Sequence, residues 1–321
     1  MMSEIIRNPL VSIIIPVYNG SNYLREAIDS ALNQTYQNKE ILVVNDGSAD
    51  EGRTEKIAMS YGKAIIYIKK ENGGVSSALN LGIKNMRGEY FSWLSHDDKY
   101  APDKIEKQVE LLKNYQDKNL IALCGSTQID KESRPLGNIN RVDRFKNGIH
   151  SWDKCLMSLF EKGTINGCAL LIPKGVFEKC GFFNESFRFN QDLDMWIRFF
   201  LNQYSMVYST DIGAYTRVHD EQVTQTKHEL FHQDCEDMSQ YLIPQLLRIS
   251  SKKENFLYAY AKNNAKYKNI SVVKKAIQKG KKQRLFSGWM VLSLKVFMKY
   301  GEIRPKIRKV YYRIFKRVKT Q

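Results

Sequence analysis

The chain has 321 residues, 43% of them hydrophobic, which suits a packed core and excludes a chain that is disordered throughout. Its five cysteines are scattered and form no Cys-x-x-Cys pair, which argues against a disulfide framework or a zinc site and for a reducing compartment. The net charge of +16 comes entirely from residues 245–321, which hold 22 Lys and Arg against 2 Asp and Glu, while the other residues hold 28 against 32. The composition therefore indicates a nearly neutral body with a basic appendage.

The first hundred residues alternate short apolar runs with helical spacings. Apolar runs that end at turn residues predict buried strands, and apolar residues three and four positions apart predict helices. Alternating strands and helices imply parallel pairing through right-handed crossovers, hence an α/β sandwich with a mainly parallel central sheet. The predicted strands are Val11–Pro16, Ile41–Val44, Ala64–Ile68 and Tyr90–Leu94, and the predicted helices are Tyr23–Asn33, Thr54–Tyr61 and Val75–Met86.

The alternation is less regular beyond Pro102. A helix is predicted from there to about Tyr115, and another over Asp194–Leu201. Residues 130–150 are polar and irregular, and we expect them to form a mobile loop over the functional site. Further strands are predicted over Ile121–Ser126, Gly167–Ile172 and Met206–Tyr208.

Polar clusters follow two of the predicted strands, Asn45–Ser48 after the second and Ser95–Asp98 after the fourth. Ligands of parallel sheets gather beyond the carboxyl ends of the strands, so both clusters mark a candidate site. Carboxylates suit Mg²⁺ or Mn²⁺, which neutralises phosphate charge and stabilises a departing phosphate. A tight turn is the alternative explanation for Asp46 with Gly47, and adjacent surface aspartates such as Asp97 and Asp98 are common.

Several sequence motifs follow one another along the chain. Val-Ser-Ile-Ile-Ile-Pro-Val-Tyr-Asn (11–19), Ile-Leu-Val-Val-Asn-Asp-Gly-Ser (41–48), Asn-Gly-Gly-Val-Ser-Ser-Ala-Leu-Asn-Leu-Gly (72–82) and Trp-Leu-Ser-His-Asp-Asp (93–98) come first. Gly-Cys-Ala-Leu-Leu-Ile (167–172), Asn-Gln-Asp-Leu-Asp-Met-Trp (190–196) and Arg-Val-His (217–219) follow. Together they closely resemble the family 2 glycosyltransferases over about residues 9–225. The resemblance implies a GT-A fold and an inverting, metal-dependent transfer of a sugar from a nucleotide donor, a UDP-sugar. The implied acceptor is a hydroxyl of a glycan or lipid-linked molecule, in cell-surface polysaccharide assembly.

The resemblance also implies roles for individual residues. Asp192 matches the general base, and Asp46 matches the aspartate that accepts the uracil imide N–H. The implied sets are Pro16, Tyr18, Asp46, Asn72, Gly73 and Asp97 for the nucleotide, Asp97, Asp98 and His219 for Mg²⁺ or Mn²⁺, and Gln191 and Trp196 on the acceptor side. Asp194 competes for the role of base, helix capping is an alternative role for Asp192, and core packing is one for Trp196.

The chain departs from the family pattern at two positions. Ser95 stands where the family commonly has its first acidic residue, which leaves open whether Asp97 or Asp98 contacts the cation. Leu79 stands where the family often has an arginine, so no phosphate contact is assigned to that helix.

The basic C-terminal region has an amphipathic pattern. Over Arg304–Lys319 apolar residues recur on one helical face and Lys and Arg occupy the rest. Helices of this kind bind anionic membrane surfaces, and Leu285–Met298 would lie at the interface beside it. We therefore expect a catalytic domain over residues 1–225 and a helical basic extension over 226–321. No window is apolar enough to span a membrane, so the expected location is cytoplasmic and peripheral, on the inner face of the cell membrane. A stripe packed on the catalytic domain is the alternative, and no recognisable module indicates a nucleic-acid partner.

Two rival functions are open to the sequence. A nucleotidyltransferase of similar fold would carry a Lys or Arg in a Gly-rich loop after the first strand, and the residues 17–20 there (Val-Tyr-Asn-Gly) include no cation. The second rival is a non-catalytic nucleotide-sugar-binding protein at the membrane. The retained aspartates argue for catalysis instead: Asp46, Asp97, Asp98 and Asp192.

Overall fold

The computed structural model describes residues 8–115, 117–136, 144–219 and 228–300. These residues divide into two compact units. The first contains residues up to Leu156 and from Thr164 to His219, and the second contains Met157–Gly163 and the residues from His228 onward. None of the helices in the described ranges is both long and apolar enough to cross a membrane.

The first unit begins with the regular alternation that the sequence predicts. Its four strands pair in parallel in the order β3-β2-β1-β4. Every residue of β1 is buried, as expected of a strand whose two faces are both covered. The elements are β1 (Val11–Val17), α1 (Leu24–Leu32), β2 (Lys39–Asp46), α2 (Arg53–Met59), β3 (Ile66–Lys70), α3 (Val75–Asn85) and β4 (Tyr90–Trp93).

The second half of this unit completes the sheet with mixed pairing. Strand β8 is antiparallel to both β4 and β6, whereas β6 and β9 are parallel. The described strands form one sheet in the order β3-β2-β1-β4-β8-β6-β9-β5, with β7 also paired to β9. The fold class predicted from the sequence, α/β around a large central sheet, is confirmed. The remaining elements are β5 (Lys99–Tyr100), α4 (Lys104–Tyr115), β6 (Leu120–Ile129), β7 (Gly148–His150), α5 (Trp152–Lys162), β8 (Leu170–Pro173), α6 (Gly175–Cys180), α7 (Gln191–Leu201) and β9 (Ser205–Arg217). The part of α5 from Met157 onward belongs to the second unit.

Four element predictions needed correction. A 3-10 turn at Gly62–Ala64 delays β3, so the strand predicted from Ala64 begins at Ile66. A second 3-10 turn occupies Gly167–Ala169, because the Asn166 side chain accepts a hydrogen bond from the Cys168 amide and turns the chain before β8. Strand β9 continues far beyond Tyr208. The segment 130–150, expected to be irregular throughout, includes β7, and its residues 137–143 lie outside the described part.

The second unit is helical. Its helices are α8 (His228–Arg248), α9 (Lys253–Lys266) and α10 (Ile270–Lys282), and residues 288–300 are helical as well. Its buried apolar side chains include Leu242, Leu257 and Val272. The predicted helical character of the C-terminal region is thus confirmed. The basic helix predicted over Arg304–Lys319 lies outside the described residues.

Candidate active site

The carboxyl end of β2 is joined to the loop before α3 by Asp46. Its Oδ1 accepts hydrogen bonds from Lys70 Nζ at 2.7 Å and from the Gly73 amide at 3.0 Å, and its Oδ2 accepts one from the Gly74 amide at 2.7 Å. The Asn72 side chain donates in turn to the Asp46 carbonyl. The structure thus brings the predicted residues together. Asp46 is buried, and these three donors occupy three of the roughly four acceptor positions of its carboxylate.

Two glycines permit the close approach at this loop. Gly47 has φ +69°, and a Cβ at this position would lie 2.6 Å from the Asn72 amide nitrogen. Gly74 has φ +89°, and a Cβ there would meet the guanidinium of Arg188. That guanidinium donates to the Gly73 carbonyl at 2.8 Å, which ties the loop to the segment preceding α7. At Gly47 both the backbone angle and the nearby backbone atom require glycine, whereas at Gly74 the requirement comes from the backbone angle, since the end of the Arg188 side chain can move.

The two adjacent aspartates after β4 have different surroundings. Asp97 is partly exposed, and its Oδ2 lies 3.1 Å from Nε2 of His219. Asp98 is buried, and its carboxylate accepts the Arg217 amide at 2.9 Å and the Cys168 thiol at 3.3 Å. Burial and then the charge of Asp97 raise the pKa of Asp98 to about 8. Asp98, assigned above to the metal set, therefore faces the protein interior, and Asp97 faces His219.

Arg217 is the last residue of β9 and is fully buried. It holds the turn at Asp97 and Asp98 in place. Its Nε donates to the Asp97 carbonyl at 2.8 Å, and its backbone amide donates to Asp98. The rest of its guanidinium contacts α1 and the turn after β6, through Glu26, Ser133 and the carbonyls of Asp130 and Lys131. A buried cation requires such partners. Arg217 therefore fixes the backbone that presents Asp97.

Asp97 and His219 are compatible with a divalent cation that is shared with phosphate groups. In the described residues no group of three or more His, Cys, Asp or Glu lies together in a way that would hold a metal ion. A cation bound beside a diphosphate needs only one or two protein carboxylates, because phosphate oxygens and water complete its coordination. The donors present fit a nucleotide-bound cation better than a metal held by protein alone.

Asp192 lies in the first turn of α7, with both carboxylate oxygens in defined contacts. Oδ2 accepts the hydroxyl of Thr164 at 2.9 Å, and Oδ1 accepts the Leu193 amide at 2.6 Å. Burial raises the pKa of Asp192 to about 6, against the opposing effect of the Thr164 hydrogen bond. Its competitor Asp194 is buried and paired with Arg198 at 2.7 Å, so it is held in a structural ion pair. Of the two, Asp192 is accordingly the better placed to serve as the predicted base.

Other predicted site residues have different degrees of exposure. Tyr18 is exposed and available to a ligand, whereas Pro16 is buried within β1. Gln191 is partly buried, and its Oε1 has no hydrogen-bond partner among the described residues. Trp196 is 1% exposed, and its indole N–H donates to the Ile165 carbonyl, so its assignment to the acceptor side is corrected to a core position.

Residues 12–168 match the family described as glycosyl transferase family 2. The uncharacterized glycosyltransferase RT0329 of Rickettsia typhi is 52% identical to this chain over 221 residues, which cover 68% of the chain and 67% of the relative. The chain belongs to glycosyl transferase family 2. Among solved structures, this glycosyltransferase resembles S. aureus TarS 1–349 in complex with UDP, with a TM-score of 0.62, 16% identity and coverage of 80% of this chain and 71% of that one. A complex of the same protein with UDP-GlcNAc gives a TM-score of 0.63, with coverage of 79% and 71%. These structural likenesses bear on the fold and agree with a GT-A arrangement.

Three residues of the glycosyltransferase that shape the site were missed from the sequence. Arg217 belongs to the motif Arg-Val-His (217–219), and a single cation at the end of a strand would have been the signal. Asn80 offered a comparable signal, a buried amide in an apolar helix, and it pairs with both backbone groups of Phe183 in the segment that leads to α7. Thr164 gave none, because nothing in sequence relates it to Asp192.

Proposed function

We propose that this glycosyltransferase transfers a sugar from a UDP-sugar to a hydroxyl of a glycan or lipid-linked acceptor, with inversion at the anomeric carbon, in cell-surface polysaccharide assembly. The observation that carries the proposal is Asp192, a partly exposed carboxylate of raised pKa, held by two hydrogen bonds in a family 2 glycosyltransferase. The UDP and UDP-GlcNAc complexes of the structural relative TarS support the choice of donor.

The proposed reaction is a single displacement. The acceptor oxygen attacks the anomeric carbon while Asp192 accepts its proton, and the bond from that carbon to the diphosphate oxygen breaks. The electron pair of this bond leaves with UDP. A base whose pKa lies slightly below neutral pH is largely ionised there, yet it is more basic than an ordinary aspartate, so it suits this proton transfer. An α-linked donor then gives a β-linked product.

The donor is proposed to lie over the carboxyl ends of β1, β2 and β4. Asp46 holds the loop of Asn72 and Gly73, and the fourth acceptor position of its carboxylate is proposed to take a uracil N–H. Tyr18 is exposed at the end of β1 and offers a ring face to the base. Asp97 and His219 would hold Mg²⁺ or Mn²⁺ together with the diphosphate, and a cation there offsets the negative charge that develops on the departing UDP.

The test is release of UDP from a panel of UDP-sugars, with and without Mg²⁺ or Mn²⁺ and with candidate acceptors. We expect metal-dependent release from at least one donor, and Asp192→Asn to abolish transfer to the acceptor while UDP binding persists. Asp211→Asn is the matched control, because it neutralises an exposed carboxylate on β9 that makes only a long contact to Lys107.

The other outcomes are equally informative. UDP binding without release from any donor would favour a non-catalytic binding protein. An Asp192→Asn protein with undiminished transfer would remove Asp192 from the role of base, and failure to bind any nucleotide would overturn the proposal.

A further inference from the structure

The helical residues 288–300 of the second unit have a well-defined inner face. Val291 and Leu294 are buried, and Ser293 lies 2.8 Å from the hydroxyl of Tyr258 on α9. The ammonium group of Lys262, also on α9, lies over the ring of Phe297. These contacts fix the rotation of the helix about its own axis, and therefore which residues it presents to solvent.

The outer face of this helix carries a stripe of large apolar side chains. Their spacing of three, four and four residues places them on one side of a helix about 20 Å long. Single exposed apolar residues are ordinary, but a contiguous row marks an interaction surface. The exposed fractions are 75% for Trp289, 52% for Leu292, 58% for Val296 and 49% for Tyr300.

The segment of the chain that contains the stripe carries charge of one sign. Residues 255–300 include 11 Lys and Arg and no Asp or Glu. Lys295 and Lys299 are exposed on the same helix as the stripe. The end of α10 and the turn after it add four exposed cations, Lys279, Lys281, Lys282 and Arg284. A partner for this surface must therefore combine an apolar interior with negative charge at its boundary.

We infer that this face, Trp289, Leu292, Val296 and Tyr300 flanked by Lys295 and Lys299, docks on the surface of a bilayer that contains anionic lipid. The apolar stripe enters the boundary between headgroups and acyl chains, and the lysine stems lie along it with their ammonium groups at the phosphates. The stripe begins and ends with Trp289 and Tyr300, and amphipathic aromatics of this kind favour the membrane interface. The inference is independent of the proposed reaction, since it concerns neither the donor nor Asp192.

The test compares binding of the full chain to vesicles of phosphatidylcholine alone and of phosphatidylcholine with phosphatidylglycerol, by co-sedimentation. We expect binding to the anionic vesicles and a reduction of roughly tenfold or more in Leu292→Gln/Val296→Gln. Replacing Lys295 or Lys299 by glutamine should reduce binding about fivefold each on anionic vesicles. Both apolar positions are more than half exposed, so circular dichroism should show an unchanged fold.

Met59→Gln is the matched control, since Met59 is an equally exposed apolar residue on α2, at 58% exposure, and its replacement should leave binding unchanged. Equal binding of wild type and the double variant to anionic vesicles would overturn the inference. So would a wild-type dimer that dissociates in the double variant while vesicle binding is retained, because the occupant of the face would then be a second copy of the chain.

Discussion

The contact between Thr164 and Asp192 predicts a shift in the pH dependence of the reaction. Thr164→Val retains the size and branching of the side chain but removes the hydroxyl that donates to Asp192 Oδ2 at 2.9 Å. That hydrogen bond stabilises the carboxylate form, so its loss raises the pKa of Asp192 above its value of about 6. Because the base acts when it is ionised, the acid limb of the activity profile should move to higher pH.

The size of the shift follows from the energy of the contact. A hydrogen bond to a charged group contributes about 1.5–3 kcal/mol, and 1.36 kcal/mol corresponds to about one pKa unit. Asp192 is partly exposed, so water replaces some of the lost interaction and a shift of about one unit is expected. In the acceptor kcat/KM this means a loss of about fivefold near pH 6 and almost none near pH 9.

Two comparisons separate a positioning role from general damage. Thr164→Ser should restore the wild-type acid limb, because the hydroxyl is retained. Thr35→Val removes a similar donor, 2.6 Å from the Glu106 carboxylate, and should leave the profile unchanged. An unshifted acid limb in Thr164→Val, with transfer still abolished in Asp192→Asn, would refute the reasoning about Thr164. An acid limb that persists in Asp192→Asn would instead count against the base itself.

Three further predictions concern the framework around the site. Gly47→Ala should destabilise the protein by more than about 1 kcal/mol and weaken UDP binding. Gly52 has a similar φ but open space around an added Cβ, so Gly52→Ala should show the effect of backbone strain alone. Equal losses of stability in urea unfolding would contradict the steric argument. Arg217→Met should lower the free energy of unfolding by about 3–5 kcal/mol, because the Glu26 carboxylate loses a cation and the carbonyls of Asp97, Asp130 and Lys131 lose their donor. An effect within about 1 kcal/mol of wild type would contradict this. Asn80→Ala leaves two backbone groups of Phe183 without partners and should cost about 1–3 kcal/mol and lower kcat; unchanged stability would refute its role as an anchor.

The parallel half of the sheet was predictable because its physical signals are local. Each residue of β1 is apolar or small enough to be buried, and the turn residues after it mark its end. Strand β9 shows the limit of such reasoning. Its register with β6 shifts on either side of Gly125, and its middle includes the polar residues Thr210 and Asp211, so no uniform pattern covers its length. Long-range pairing, rather than local sequence, determines how far β9 extends.

The site shows the same division between local and distant causes. Asp46, Asn72 and Gly73, which the family resemblance assigned to one site, are in contact because they lie at the ends of neighbouring parallel strands. Thr164 and Asp192 are 28 residues apart, and their contact depends on how α7 lies against the turn before β8. Trp196 shows the opposite case. It is close to Asp192 in sequence, but its side chain lies in the core.

Asp97 and Asp98 allow an experimental test of this difference between closeness in sequence and closeness in space. The sequence treats them alike, but the amide of Arg217, 119 residues away, turns one carboxylate inward. Asp98→Asn retains an oxygen that accepts this amide, so the fold and the response to a cation should both persist. Asp97→Asn removes a charge that faces His219 and solvent, which a cation beside a diphosphate requires.

The decisive measurement is UDP affinity, by calorimetry, as a function of Mn²⁺ concentration, which does not depend on turnover. Wild type and Asp98→Asn should bind UDP more tightly as Mn²⁺ is added, and Asp97→Asn should lose at least roughly tenfold of that effect. The contrary outcome is that Asp98→Asn keeps its fold and loses the Mn²⁺ effect as fully as Asp97→Asn. In that case the inward carboxylate must turn outward when the nucleotide binds, and its contacts to Arg217 and Cys168 belong only to the nucleotide-free enzyme.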